Sequence, residues 1–240
     1  MRHKHINTIA AIVLAIAPPD PAYRRVRWDT PDGDFLDLDL LDSQIPGFSR
    51  GLVIVCHGVE SSASGAVVRR TAVAAAEGGF DVLALNNRGC SGEDNRTYHS
   101  YWAGGTDDLR FVIQTMHTQD PSRKIFLSGT SLGGNMIAKL LGQLGTRARA
   151  LGIQGAAVAS VPFDVFSTMA KMEERGVRRT CIGAWVIKSF KAKAEAKALK
   201  FPGRVDLERV RASRTLVGAQ VSGEGSQTPN PKPYTLNPMP

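Results

Sequence analysis

The stretch "KIFLSGTSLGGNMIAKLL", residues 124–141, constrains this chain more than any other part of it. It reads as an apolar strand, a glycine-rich turn carrying one serine, and a helix. Gly129-Thr130-Ser131-Leu132-Gly133 fits G-x-S-x-G, the nucleophile-elbow pattern, which requires a strand before it and a helix after it. The spacing has a physical purpose. Glycines two residues before and two after Ser131 let strand and helix approach closely, while the serine takes a strained backbone at the tip. The hydroxyl is then exposed above the sheet, with a helix N-terminus beneath it that favours developing negative charge.

The remaining sequence supplies the sheet that such a turn needs. "YRRVRWDT", Pro31-Asp32-Gly33-Asp34 and "FLDLDLL" read as two strands about a tight turn, the second alternating apolar residues with Asp37 and Asp39. "GLVIVCHG" (51–58) and "FDVLALNNRG" (80–89) are continuous apolar runs, as strands covered on both faces are. Between them lies an alanine-rich helical stretch, about 65–77, stopped by Gly78-Gly79. A helix near 105–118 opens on Asp107 and Asp108, which complement its positive end. "LGIQGAAVASVP" (151–162) is the last strand. Strands alternating with helices through short loops predict an α/β fold, a doubly wound and mostly parallel sheet.

Four segments follow from this pattern: an N-terminal arm with the first strands (1–50), an α/β core (51–163), a helical cap and linker (164–216), and a tail (217–240). Met169, Met172, Trp185, Ile187 and Phe190 are expected on apolar helix faces in the cap. Five of the 24 tail residues are proline and no apolar period runs through them, the composition of a disordered segment. Residues 164–215 hold 13 Lys and Arg against 6 Asp and Glu, most of the chain's formal charge of +8. A basic helix face of this kind is first a solvated surface, and next a peripheral contact with an anionic membrane. Nucleic acid is not an expected partner.

Cys56, Cys90 and Cys181 lie far apart without metal-ligand spacing, so no metal or cofactor is expected and a reducing, cytoplasmic setting fits. "MRHKHINTIAAIVLAIAPPD" mimics a secretion signal, but Pro18 directly after Ala15-Ile16-Ala17 is a poor cleavage context. A structured arm is the expectation there.

His57 and Gly58 end an early buried strand, where sheets of this kind gather their functional loops. The N–H of Val59, just after them, and the N–H of Leu132 are the expected oxyanion-hole donors. His57 is expected to shape its loop by bonding nearby backbone, with Gly58, Gly129 and Gly133 as the support that lets elbow and loop meet.

"CHGVESS", "NNRGCSGEDNR", "GGTDDLRFVI" and "GTSLGGNM", in this order, together with "TPDGDFLDLD" and "ASVPFD", resemble the YheT-like branch of the α/β-hydrolase superfamily. The resemblance covers about residues 22–215. It implies a serine hydrolase acting on carboxylic esters, including acylglycerols and phospholipids, with Ser131 as nucleophile, an oxyanion hole at Val59 and Leu132, and a helical cap. "YHSYWAGG" departs from the family's usual Tyr-His-Ser-Gly before the acidic pair, which leaves that loop's role open.

The family orders its triad as serine, acid, histidine. The five histidines here are His3, His5, His57, His99 and His117, and none follows Ser131. The sequence therefore reads as an α/β hydrolase without its last strands, truncated or altered at its C-terminal end. Its serine would need another histidine as base, and an impaired fold that binds a ligand is the competing expectation.

Overall fold

The computed structural model describes residues 18–165, 167–168 and 181–212. Residues 1–17, the cap positions Met169 and Met172, and the tail from 213 onward lie outside it. The chain divides into two compact units, residues 1–161 and 162–240.

In the first unit, β1 (Arg24–Asp29) and β2 (Phe35–Leu41) form a hairpin, followed by β3 (Leu52–Cys56), α1 (Ala66–Glu77) and β4 (Asp81–Leu85). Then come α2 (Asp107–Gln119), β5 (Ile125–Thr130), α3 (Leu132–Leu144), α4 (Arg147–Ala150) and β6 (Ile153–Ala159). The six strands form one sheet in the order β1-β2-β4-β3-β5-β6. β1 with β2 and β2 with β4 are antiparallel; the other three pairs are parallel. The predicted doubly wound, mostly parallel sheet is the observed architecture, and among the described residues it ends at β6.

Alternation along the central strands divides the core. Leu52, Ile54 and Cys56 of β3 and Leu83 and Leu85 of β4 pack with Leu109, Val112 and Ile113 of α2 and Ile137 and Leu140 of α3. Val53 and Val55, with Val82 and Ala84, face the other way onto Val68, Ala72 and Ala76 of α1. Helices on both sides explain why these strands are unbroken apolar runs. Burying side chains such as Ile54 or Leu83 stabilises by about 1.5–3 kcal/mol each.

β2 departs from the half-exposed strand that its alternation suggests. Leu36 and Leu38 enter the core, but Asp37 and Asp39 on the opposite face are also buried, at 3% and 2% exposure. Arg27 and Arg25 stand directly across the hairpin and clasp them. Arg27 Nε and Nη2 donate to Asp37 at 2.7 and 2.8 Å, and Arg25 Nε and Nη2 donate to Asp39 at the same two distances. The fork geometry compensates the carboxylates for lost water.

In the second unit, α5 (Cys181–Lys200) and α6 (Leu207–Ala212) are joined by Lys191 Nζ, midway along α5, donating to the Arg211 carbonyl at 2.7 Å and by an Arg211–Glu195 ion pair at 3.0 Å. Val186, Ala194 and Val210 are buried, whereas Trp185, expected on an apolar face, is 51% exposed. Asp164 caps a turn: its carboxylate accepts the Ser167 N–H at 2.9 Å and the Ser167 hydroxyl at 2.5 Å. That is an N-cap arrangement.

Candidate active site

Ser131 forms the junction of β5 and α3 with φ 55° and ψ −120°. A left-handed backbone is uncommon for a residue with a Cβ and costs about 1–3 kcal/mol, so surrounding structure must hold it. The Ser131 N–H donates to the Ala159 carbonyl at 2.8 Å, and its own carbonyl accepts the Asn135 N–H at 3.0 Å. Both backbone groups are thereby committed. Among the described residues, none bonds the Ser131 hydroxyl.

The two flanking glycines are required by space. A Cβ on Gly129 would sit 2.7 Å from the Gly133 carbonyl carbon, and one on Gly133 would sit 2.3 Å from the Cys56 oxygen. β5, α3 and the end of β3 therefore meet backbone against backbone. Gly58 completes the contact: a Cβ there would lie 3.4 Å from Ser131 Cβ and 4.0 Å from Ser131 Oγ. The loop after β3 thus runs beside the serine. Val59 follows on that loop, and Leu132 carries the first N–H of α3, which has no partner within the helix. The serine therefore stands at a helix N-terminus with the Gly58 backbone beside it.

His57, buried at 1% exposure, is held by backbone at both ring nitrogens. The Asn87 N–H donates to Nε2 at 3.1 Å, so Nδ1 carries the proton and donates to the Gly58 carbonyl at 2.6 Å. This neutral tautomer leaves no lone pair for a serine proton. His117 is equally unsuited. It lies at the end of α2 beside Gly152, next to the starts of β5 and β6, whereas Ser131 follows the end of β5. A strand of that length separates them by roughly 17–20 Å. His99 is exposed on the loop after β4, its carbonyl accepting from Asn95. Cys56 is not a competing nucleophile, because burial pushes its thiol up to about 12.

Three features of the site escaped the motif reading. Glu60 also has a left-handed backbone, φ 53°, and its N–H donates to the Tyr101 hydroxyl at 2.8 Å. That hydroxyl donates in turn to Glu60 Oε1 at 2.5 Å, and the Tyr101 ring meets the His57 ring edge-on at 6.4 Å between centroids. Behind the loops, the fully buried Asp34 accepts from Asn95 Nδ2 at 2.7 Å, Thr97 Oγ1 at 2.6 Å and the Arg96 N–H at 2.8 Å. Burial acts to raise the Asp34 carboxyl, but these donors outweigh it and hold the group well below the usual carboxylate range. Arg88 spans the gap, bidentate to Asp108 at 2.9 and 2.7 Å and bonded to Asp32 at 2.6 Å. The signals were present in "TPDGDF" and "NNRGCSGEDNR"; their pairing across more than 50 residues was not.

Among the described residues no group of His, Cys, Asp and Glu could hold a metal ion, and no helix is long and apolar enough to cross a membrane.

Sheet order, elbow and adjoining loop are together those of an α/β hydrolase. A family model described as "Serine aminopeptidase, S33" matches residues 47–202, and the chain belongs to this Hydrolase_4 family of α/β serine hydrolases. It is 29% identical over 205 residues to the YheT protein of Escherichia coli, covering 82% of this chain and 59% of that one. With human phospholipase ABHD3 it shares 26% identity over 161 residues, covering 65% of this chain and 39% of the relative. With the monoacylglycerol lipase of Saccharomyces cerevisiae the identity is 26% over 146 residues, covering 60% and 30%. The chain thus spans less than two thirds of the length of each relative. The solved structure of lpg1103 from Legionella pneumophila shares the fold with a TM-score of 0.53 at 16% identity, covering 92% of this chain and 65% of that one.

Proposed function

We propose that this chain presents the nucleophile and oxyanion half of a carboxylic-ester hydrolase site, taking short- or medium-chain acyl esters or acylglycerols. The observation that carries the reading is Ser131 held at φ 55° between β5 and α3, with the Gly58–Val59 loop against its side chain. Ser131 Oγ attacks the ester carbonyl as its proton passes to a base, and the carbonyl oxygen becomes an oxyanion facing the N–H groups of Val59 and Leu132. Collapse of that intermediate expels the alcohol and leaves an acyl-enzyme, which water then releases as a carboxylic acid. No cofactor takes part in these steps. Two relatives bear the names of lipid-ester hydrolases, which supports an acyl-lipid substrate. The basic residues of α5 and α6 suit contact with an anionic membrane surface, and the reduced Cys56 and Cys90 thiols suit the cytoplasm.

A second reading has its own observation: His57 is locked by backbone and no histidine follows Ser131 in this sequence. On that reading the chain is an impaired hydrolase fold that binds an ester ligand without turning it over. Sites lacking triad members retain about 10³–10⁴-fold catalysis over water, so weak steady-state hydrolysis fits both readings. The experiment is labelling with an alkyl fluorophosphonate, followed by a burst assay with a p-nitrophenyl ester. The active reading expects labelling of the wild type, none of Ser131→Ala, and a burst equal to the protein concentration. Labelling that persists in Ser131→Ala removes the serine from its role; labelling without a burst favours the binding fold.

A further inference from the structure

Tyr101 lies outside the serine–acid–histidine order, on the loop between β4 and α2. Its hydroxyl makes two hydrogen bonds to one residue of the loop that carries Val59. It accepts the Glu60 N–H at 2.8 Å and donates to Glu60 Oε1 at 2.5 Å. A hydroxyl that donates to a carboxylate makes a charge-assisted bond, stronger than a neutral one. The two bonds grip Glu60 at its backbone and at its side-chain end.

Glu60 needs that grip. Its φ of 53° is one of three left-handed values among the described non-glycine residues, the others being Ser131 and Ser160. The conformation costs a residue with a Cβ about 1–2 kcal/mol. Glu60 directly follows Val59, so relaxing the Glu60 backbone rotates the peptide that joins them. The Ser61 N–H donates to the Gly58 carbonyl at 3.2 Å, closing a tight turn over these residues. The far side of the clamp is firm, because the Tyr101 ring packs edge-on against the immobilised His57 ring. Burial first, then the nearby Cys90 and Glu60, raise the Tyr101 hydroxyl well above its ordinary range, so it remains a donor throughout the neutral range.

We propose that Tyr101 is a positioning residue: by clamping Glu60 in its left-handed conformation it fixes the Val59 N–H beside Ser131 and so sets the oxyanion hole. This rests on the reading of Ser131 as nucleophile. It also gives a role to the "YHSYWAGG" loop, to which Tyr101 belongs.

The test uses the full chain, an alkyl fluorophosphonate, and amide hydrogen exchange read on peptides spanning residues 57–64. The tetrahedral phosphonyl adduct places its oxygen where the oxyanion would lie, so labelling speed reports the hole. Tyr101→Phe keeps the ring and removes the hydroxyl. Its maximal inactivation rate should fall about 10- to 100-fold, the scale of a misplaced oxyanion donor, while the half-saturating probe concentration stays unchanged. Exchange at residues 59–61 should quicken, with β4 and α3 unaffected. Glu60→Gln keeps an acceptor for the hydroxyl but loses the charge, and should fall between wild type and Tyr101→Phe. Unchanged exchange in Tyr101→Phe overturns the clamp, as does faster exchange with an unaltered inactivation rate. A wild type that is not labelled ends the nucleophile reading instead, and the exchange of residues 59–61 then decides the clamp alone.

Discussion

A missing Cβ decides whether α3 can approach the sheet. Gly133 and Gly142 sit in the same helix and answer to opposite constraints. A Cβ on Gly133 would meet the Cys56 oxygen at 2.3 Å, the Cys56 carbonyl carbon at 2.6 Å and the His57 oxygen at 2.6 Å, all of them backbone atoms that cannot rotate away. Around Gly142 nothing lies within 4 Å. Gly133→Ala should therefore destabilise by about 3 kcal/mol, the upper end of the overpacking range, and should abolish labelling of Ser131 by pushing the elbow from its loop. Gly142→Ala should stabilise by about 0.4–1 kcal/mol, because the unfolded chain loses freedom while the helix gains a better former. Urea midpoints of the two variants check the sign and size of each. Only one of these glycines was legible from the sequence. G-x-S-x-G singles out Gly133 through its spacing to Ser131, whereas Gly142 looks the same as any other glycine until its surroundings are known.

At the scale of elements, the β1–β2 hairpin and the loop after β4 are joined by buried charge. Asp34, at the hairpin turn, accepts bonds from Asn95, Arg96 and Thr97, and Arg88 connects Asp32 to Asp108 at the start of α2. A turn, a strand end and a helix start are pinned together behind the Tyr101 loop. This was the least readable part of the fold. Pro31-Asp32-Gly33-Asp34 identifies a turn by its residue types, and the alternation of "FLDLDLL" identifies a strand. Neither tells that the aspartates face inward: Asp32 and Asp34 meet Arg88 and Asn95 more than 50 residues away, and Asp37 and Asp39 are buried only because Arg27 and Arg25 clasp them across the hairpin. The linkage has a definite sign. The folded Asp34 carboxyl lies below its unfolded value, as do those of Asp32 and Asp37, despite burial acting to raise each of them. Such groups add stability above the unfolded value, about pH 4, and that stability is lost as pH falls toward the folded values. Urea midpoints should thus be level from about pH 7 to about pH 5 and decline steeply below about pH 4. Asp34→Asn should lower the neutral midpoint, since it leaves Arg88 and the loop donors poorly matched, by about 3–5 kcal/mol. The same variant should show a shallower acid decline. A variant with an unchanged acid limb would remove Asp34 from this account.

For the molecule as a whole, what matters is how the sheet ends. The β1 edge is guarded by Arg24, Arg25 and Arg27, long charged side chains that make poor templates for another strand. The β6 edge has no such guard. Its sequence "IQGAAVA" carries no charge and no proline, and from Ala156 to Ala159 every residue is exposed. Among the described residues only β5 pairs with it, through Ile125 to Thr130. Among the described residues this edge stays open, because the apolar strand "LGIQGAAVASVP" is followed by helices alone. Its consequence is association: unpaired N–H and C=O groups on a flat, uncharged strand recruit a second strand at their own spacing. A single lysine tests this if it points away from α3. Val158 lies over Gly134, since a Cβ on that glycine would meet Val158 Cβ at 3.3 Å, so alternation turns Ala157 to the opposite face. Ala157→Lys should leave the urea midpoint within about 0.5 kcal/mol of wild type, as an exposed change does. It should also suppress concentration-dependent light scattering. Val158→Lys is the contrasting variant, because it places charge against α3 and should destabilise. If Ala157→Lys scatters as wild type does while its fold is intact, association runs through another surface and the β6 edge is not the molecule's sticky side.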